Sequence, residues 1–355
     1  MIPLRVNTRE AFAKGFLLFL AFFIALNFVI WKFRTEALFG NRYDGGDLAR
    51  LGYVVDSKHF RINCDDLPAR HVDIDDYRGQ KIDLVTIGDS FSQGMGGGKN
   101  RFYQDYIASR NNLTVLNVRP YEPFGSLSTL IILLNNGSLD KIRPRFIILE
   151  SAEKHCIERF SGAIDFDANM SMQSLEKLKS TKYGEPYFEL SFINNGNLKY
   201  LLYNALRLFS PNGYLLRTYL VELNKPCFSV KNEDRLLFYD HDIKRIADVN
   251  DAAVASMNAN LNTLADRLGK RNIRLYFMPI VDKYNLYSEY IVENSYPRSD
   301  FFEKLRRQPK KYVLIDTKAL LAPEVRKGER DIYYADDTHW GWKASDTIFR
   351  TVRFR

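Results

Sequence analysis

The hydrophobic and polar positions of this chain change period three times. Residues 16–31 are an almost unbroken apolar run, residues 34–80 are polar, and from residue 81 short apolar runs alternate with segments of helical period. Residues 82–87, 113–118, 145–150, 273–278 and 312–315 have the length and the aliphatic and aromatic content of strands. Between them, residues 101–110, 127–134 and 242–270 read as helices. In the last of these Ile243, Ile246, Ala247, Ala253, Val254, Met257, Leu261, Leu264 and Leu268 recur at helical spacing. Residues 343–352 close the chain as a further helix. Strands alternating with helices predict an α/β domain, a parallel sheet with helices on both faces. The alternation stops at about 156–240, where aromatics are scattered among the turn sequences Asn194-Asn195-Gly196-Asn197 and Pro211-Asn212-Gly213. That stretch is too long for a plain loop and reads as an insertion with short elements of its own. No internal repeat or low-complexity segment interrupts the pattern.

The apolar run at 16–31 spans about 24 Å as a helix, against a hydrocarbon core of about 30 Å. Lys14 and Lys32 flank it and Trp31 ends it, so snorkelling side chains and an interfacial ring cover the difference. It has no amphipathic stripe of the kind a core helix would show. Arg5, Arg9 and Lys14 precede it, opposed only by Glu10, which favours a cytoplasmic N-terminus. Lys32-Phe33-Arg34-Thr35 offers no small-residue cleavage site. The expected organisation is a cytoplasmic tail and single transmembrane signal anchor at 1–33, a lead-in at 34–80 and an α/β domain at 81–355. About 320 residues would then lie outside the cytoplasm.

The chain has 355 residues, enough for one large core or two small ones. Its net charge is +8, but four cations and one acid in residues 1–33 supply +3 of it. The rest is dispersed, with no basic stripe interleaved with aromatics, so nucleic-acid binding is a poor reading. An anionic membrane surface or an acidic glycan fits the charge better. Cys64, Cys156 and Cys227 have no metal-ligand spacing, and in an oxidising compartment two of them could bridge in a pairing the sequence does not choose. Gly94 and Gly96-Gly97-Gly98 precede Lys99, but Asn100 replaces the Ser/Thr of a phosphate loop. No cofactor or metal is expected. The sequons at Asn112, Asn136 and Asn169 matter only in a eukaryotic secretory pathway.

The chemistry gathers at two places. Gly88-Asp89-Ser90-Phe91-Ser92 follows the first predicted strand, and Asp336-Asp337-Thr338-His339-Trp340 precedes the last helix. Open α/β sheets bind ligands beyond the carboxyl ends of their strands, which is where Ser90 falls. A serine hydroxyl becomes a nucleophile when an imidazole takes its proton and a carboxylate fixes the imidazole. His339 is the candidate base. His59 and His71 lie in the lead-in and His241 opens a helix, all with solvent-facing roles expected, while His155 follows the third strand and could line the cleft. Ser92 is a competing hydroxyl expected to point elsewhere. Alone, Gly-Asp-Ser is a common turn and Asp-Thr-His a common cap or metal half-site; the catalytic reading comes from their joint context.

These two blocks resemble the SGNH/GDSL hydrolase superfamily, which includes esterases, lipases and glycan O-acetyltransferases. The resemblance covers roughly residues 80–350. It implies a flavodoxin-like parallel sheet, Ser90 as nucleophile, and the late Asp and His as the rest of a triad. Pro279-Ile280-Val281-Asp282-Lys283-Tyr284-Asn285-Leu286-Tyr287 and Asp337-Thr338-His339-Trp340 are similar to the branch that O-acetylates alginate. There the Asp-x-His run usually precedes the serine; here it follows. Asp336 has the D-x-x-H spacing of ordinary members and Asp337 the D-x-H-W spacing of that branch; Trp340 favours Asp337 and leaves Asp336 open. The family's oxyanion donors would be the Ser90 N–H and, after the second strand, Gly125. The third donor, a block-three Asn, is absent. Glu150-Ser151-Ala152-Glu153-Lys154-His155 stands in its place and resembles the alginate-modifying branch.

The resemblance therefore implies a membrane-anchored, extracytoplasmic O-acyltransferase acting on a glycan or polysaccharide acceptor through an acyl-enzyme. One span cannot carry an acyl group across a membrane, so transfer would need a multi-spanning acyltransferase as donor. The alternatives are an esterase that hydrolyses O-acyl esters, and a non-catalytic glycan-binding or assembly subunit with a decayed triad.

Overall fold

The computed structural model describes residues 8–39, 46–61, 66–175, 177–178 and 192–355. Six parallel strands form the main sheet: β1 (Val72–Asp73), β2 (Leu84–Ile87), β3 (Val115–Val118), β4 (Phe146–Ala152), β7 (Arg274–Ile280) and β8 (Val313–Leu314). Their order is β1-β3-β2-β4-β7-β8. Without the two-residue edge strand β1 this is the flavodoxin-like order, with the chain reversing direction across the sheet at β2. Every residue of β2, β3 and β4 is buried, as a parallel strand covered on both faces requires.

Right-handed crossovers decide which face each helix covers. The connection from β2 back to β3 puts Tyr103–Asn111 on one face. The connections from β3 to β4 and from β4 to β7 run the other way across the sheet and put Gly125–Asn135 and Asp251–Gly269 on the opposite face. The closing helix Trp342–Thr351 returns to pack on Tyr103–Asn111. The residues expected as one helix over 242–270 instead form the short helix His241–Lys244, a 3-10 turn Arg245–Asp248 and the helix Asp251–Gly269. The break is a cap: Asn250 is extended and its Oδ1 accepts the Ala253 N–H at 2.9 Å. Apolar spacing runs through the break and conceals it.

Within the expected insertion, β5 (Thr218–Glu222) and β6 (Arg235–Tyr239) form an antiparallel hairpin. The lead-in is not a loose tether where it is described. Leu48 and Val54 form a small core with Leu237 of β6, and the helix Asp47–Gly52 is fixed by Ala49 N–H donating to Asp336 O at 3.0 Å. The N-terminal helical stretch Thr8–Phe39 is long and apolar enough to cross a membrane. Cys156 and Cys227 are buried free thiols, and Cys64 lies outside the described residues.

Candidate active site

Strand β2 ends at Ile87, and the chain turns sharply at Gly88. A side chain there would collide with the Glu150 carboxylate and the Ser92 hydroxyl, so the turn requires glycine. Ser90 follows, half-buried, at the point where β2 and β4 diverge into opposite connections. Its Oγ lies 2.8 Å from His339 Nε2. His339 Nδ1 is 2.7 Å from Asp337 Oδ1, and the same oxygen accepts the His339 N–H at 2.9 Å. Ser90 and an Asp-His pair 249 residues further along the chain thus form one hydrogen-bonded line from hydroxyl to imidazole to carboxylate.

Asp336, the other candidate orienter, points away from His339. It is fully buried, and it accepts Gly46 N–H and His59 N–H at 2.9 Å each and Arg61 Nη1 at 2.7 Å. Arg61 also reaches Asp337 Oδ2 at 2.9 Å and lies over the Tyr334 ring at 4.4 Å. The guanidinium therefore bridges both carboxylates, and the lead-in holds the turn in place. Lys283, in the Pro279–Tyr287 block, completes the support from below. Its buried Nζ donates to the carbonyls of Tyr334, Ala335 and Asp337 at 2.8, 2.9 and 3.1 Å. Three acceptors match the three protons of an ammonium.

The electrostatics follow from burial set against neighbouring charge. Burial opposes a charged His339, but Asp337, and beyond it Asp47, outweighs burial and raises its pKa above the ordinary imidazole value. Burial likewise pushes Asp337 up, and the opposing charges of His339 and Arg61 hold it well below the usual carboxylate range. Asp47 accepts Thr338 N–H at 2.8 Å and Thr338 Oγ1 at 2.6 Å. Burial and the Asp337 charge push it up to about 6. Burial lowers Lys283 to about 8, against the pull of Asp336 and Asp337.

A second carboxyl pair lies behind Ser90. Glu150 Oε2 accepts Asp89 N–H at 3.0 Å, Ser92 N–H at 3.2 Å and Ser92 Oγ at 2.7 Å, so Ser92 faces inward and away from the cleft. Burial, and then the Asp89 charge, raises Glu150 well above the carboxylate range. Asp89 is buried too, but Arg159 at 2.6 Å and the Ala152 N–H at 3.0 Å hold it low. Through these contacts Glu150 and Asp89 pin the Ser90 turn to the end of β4.

A cavity of about 130 Å³ opens over Ser90 and is lined by Asp89, Phe91, Ala152, His155, Arg159 and His339, among others. His155 lines the cleft as expected; burial and the charges of Arg159 and Lys154 lower it to about 4, so it is neutral at pH 7. His59 is buried rather than solvent-facing, and His71 Nδ1 is paired with Asp105 at 2.7 Å. His241 is partly exposed, its Nε2 2.9 Å from Arg217 Nη2. Gly125 opens a helix at φ +70°, is exposed, and is not among the residues lining this cavity. Asp47, Asp337 and His339 are close enough for a metal ion, but their ligand atoms are engaged with Thr338, Arg61 and one another. Sequence reasoning missed Arg61 and Asp47, whose partners are about 280 residues away; only Lys283 stood in a motif.

No curated protein and no solved structure matches the chain. Residues 230–352, which include Lys283 and the Asp-His turn but not Ser90, match a family model. That model is described as the SGNH hydrolase-like domain of the acetyltransferase AlgX, so the C-terminal part of the α/β domain is similar to an SGNH hydrolase-like domain.

Proposed function

We propose that this chain is a membrane-anchored, extracytoplasmic serine O-acyltransferase that acylates hydroxyl groups of a glycan, with acetyl as the acyl group. The observation that carries the reading is the line Ser90 Oγ–His339 Nε2–Asp337, at 2.8 and 2.7 Å. In the first half-reaction Ser90 Oγ bonds to the carbonyl carbon of an acyl donor while His339 Nε2 takes the hydroxyl proton. The tetrahedral intermediate collapses, the donor's C–O or C–S bond breaks, and His339 returns the proton to the leaving group. An acceptor sugar hydroxyl then attacks the acyl-enzyme by the same steps in reverse. The Ser90 N–H is one donor to the developing oxyanion, a contribution worth several kcal/mol in acyl transfer.

Beside the same turn a cavity of about 580 Å³ is walled by Phe60, Tyr334 and Trp342 with Lys58, Lys231 and Lys343. The flat rings suit a sugar acceptor; Asp56 and Asp331 line the same cavity, and Lys231 and Lys343 are paired with Asp56 and Glu329. The donor would be a multi-spanning membrane acyltransferase. Hydrolysis is the same chemistry with water as acceptor, and the two readings separate on the product.

The test is covalent capture. A fluorophosphonate probe should label the wild-type chain at Ser90, located by peptide mass, and an aryl acetate should be turned over. Ser90→Ala should lose both while melting at the wild-type temperature. Turnover by Ser90→Ala at the wild-type rate would remove the assignment, and a folded wild-type chain that never labels would favour the non-catalytic subunit.

A further inference from the structure

The helix Asn195–Leu206 is amphipathic in the opposite sense to a helix on a soluble protein. Its inward face is polar and aromatic. Asn197 is fully buried, the Tyr203 ring lies 5.4 Å from that of Tyr53, and Asn204 Nδ2 donates to Tyr53 O at 3.2 Å. Its outward face carries Leu198, Leu201, Leu202 and Ala205, at i, i+3, i+4 and i+7. The stripe continues past the helix: Leu208, Phe209, Tyr214 and Leu215 are 82%, 76%, 63% and 70% exposed. A contiguous apolar surface of this kind marks an interaction site, whereas scattered single residues would need no explanation.

What covers it is indicated by its neighbour. Asn197 Nδ2 donates to Asn27 Oδ1 at 3.0 Å, and Thr35 Oγ1 donates to Asn197 Oδ1. The Phe28 and Phe192 rings meet edge to face at 6.4 Å. All three contacts fall on the last part of the stretch Thr8–Phe39, just where an apolar helix of that length leaves the hydrocarbon. From Asn27 to Thr35 is about 12 Å along the axis, comparable to the 5–10 Å to which interfacial helices embed. Lys32, Arg34 and Lys199 are exposed in the same region, placed to meet lipid phosphates.

We propose that residues 192–215 form a second membrane contact, with the helix Asn195–Leu206 lying in the interface and its leucine face in lipid. This rests on Thr8–Phe39 spanning the bilayer. The contact has a consequence for the site. Arg207 donates to Gly52 O and Asn204 to Tyr53 O, and residues 46–61 clasp Asp336 through Gly46 and His59. Lipid docking therefore sets the height and tilt of the catalytic turn above the membrane, which suits a donor delivered from a membrane partner.

Tryptophan quenching in the full-length chain tests this. Leu202→Trp and Leu208→Trp are made at exposed positions, checked for wild-type melting, and reconstituted in phosphatidylcholine–phosphatidylglycerol vesicles brominated near the headgroup or near the bilayer centre. The other two native tryptophans, Trp340 and Trp342, are replaced by Phe in the parent and in both variants, so that native Trp31 reports the span. The added tryptophans should lose at least half their emission to headgroup-level bromine and little to central bromine. If Trp31 is quenched while the added residues are not, the helix faces water and the proposal is overturned, with the anchor intact. If Trp31 is not quenched either, the anchor fails and the proposal with it. Protection that appears only as protein density in the vesicle rises would mean that a second copy covers the face, which also overturns it.

Discussion

The division of labour between Asp336 and Asp337 can be measured by converting each to Asn. In Asp337→Asn the amide stabilises the wrong imidazole tautomer, so His339 Nε2 no longer faces Ser90 Oγ as an acceptor. Such a change in a Ser-His-Asp triad costs about four orders of magnitude in kcat, or about 5.5 kcal/mol at 1.36 kcal/mol per decade. Arg61 keeps Asp336 as a partner, so the loss of stability should be small. Asp336→Asn acts the other way. The carboxylate accepts from Gly46, His59 and Arg61 in a fully buried setting. An amide turns one acceptor into a donor, aimed either at the guanidinium or at the two backbone N–H groups. Such a loss costs about 2–4 kcal/mol, a fall in Tm of about 4–16 °C for a large domain. The assay is kcat on an aryl acetate beside a melting curve for both variants. An Asp337→Asn enzyme within tenfold of wild type would refute the orientation argument. So would an Asp336→Asn enzyme that melts normally and has lost its turnover.

In the proposed reaction His339 must be neutral to accept the Ser90 proton. Its pKa is raised by Asp337 and Asp47 against burial, so kcat/KM should climb with pH through a midpoint above 6.5. Stability should run the opposite way: a raised folded pKa contributes stability fully present below the unfolded value and lost as pH rises through the folded one. Asp47→Asn removes one of the charges raising His339, so the acid limb of the pH–rate profile should move to lower pH; an unmoved limb would show that Asp47 is not felt at the imidazole. Lys283→Met strips three carbonyls of their donor, and should cost about 2–4 kcal/mol in a denaturant melt together with at least tenfold in fluorophosphonate labelling rate. A variant that melts normally and labels normally would mean that the turn holds itself. Cysteines engineered at the exposed positions of Arg34, Leu51 and Phe60 should react with an impermeant thiol reagent in intact cells while those in residues 1–10 resist; the reverse pattern would put Ser90 in the cytoplasm.

The strands and most helices were legible because they depend on near neighbours. An apolar run of four to seven residues has to be buried on both faces, and helical spacing has one geometric meaning. The Gly88-Asp89-Ser90 turn and the Asp-His block were legible for the same reason, since each is a local sequence at the end of a predictable element. Adjacent carboxylates were not separable in this way. Asp336 and Asp337 face opposite sides of one turn, and which of them meets His339 depends on Arg61, Gly46 and Lys283 holding that turn. Those partners lie about 50 to 290 residues away, and no periodicity encodes a contact at that range. The helix break at Asn250 was hidden because a capping side chain and a helical one look alike in an apolar pattern. The leucines at 198, 201 and 202 carry a helical stripe that composition cannot orient. Packing of Asn197, Tyr203 and Asn204 inward turns that stripe outward, because the fold buries whichever face can satisfy its hydrogen bonds against Asn27, Thr35 and Tyr53.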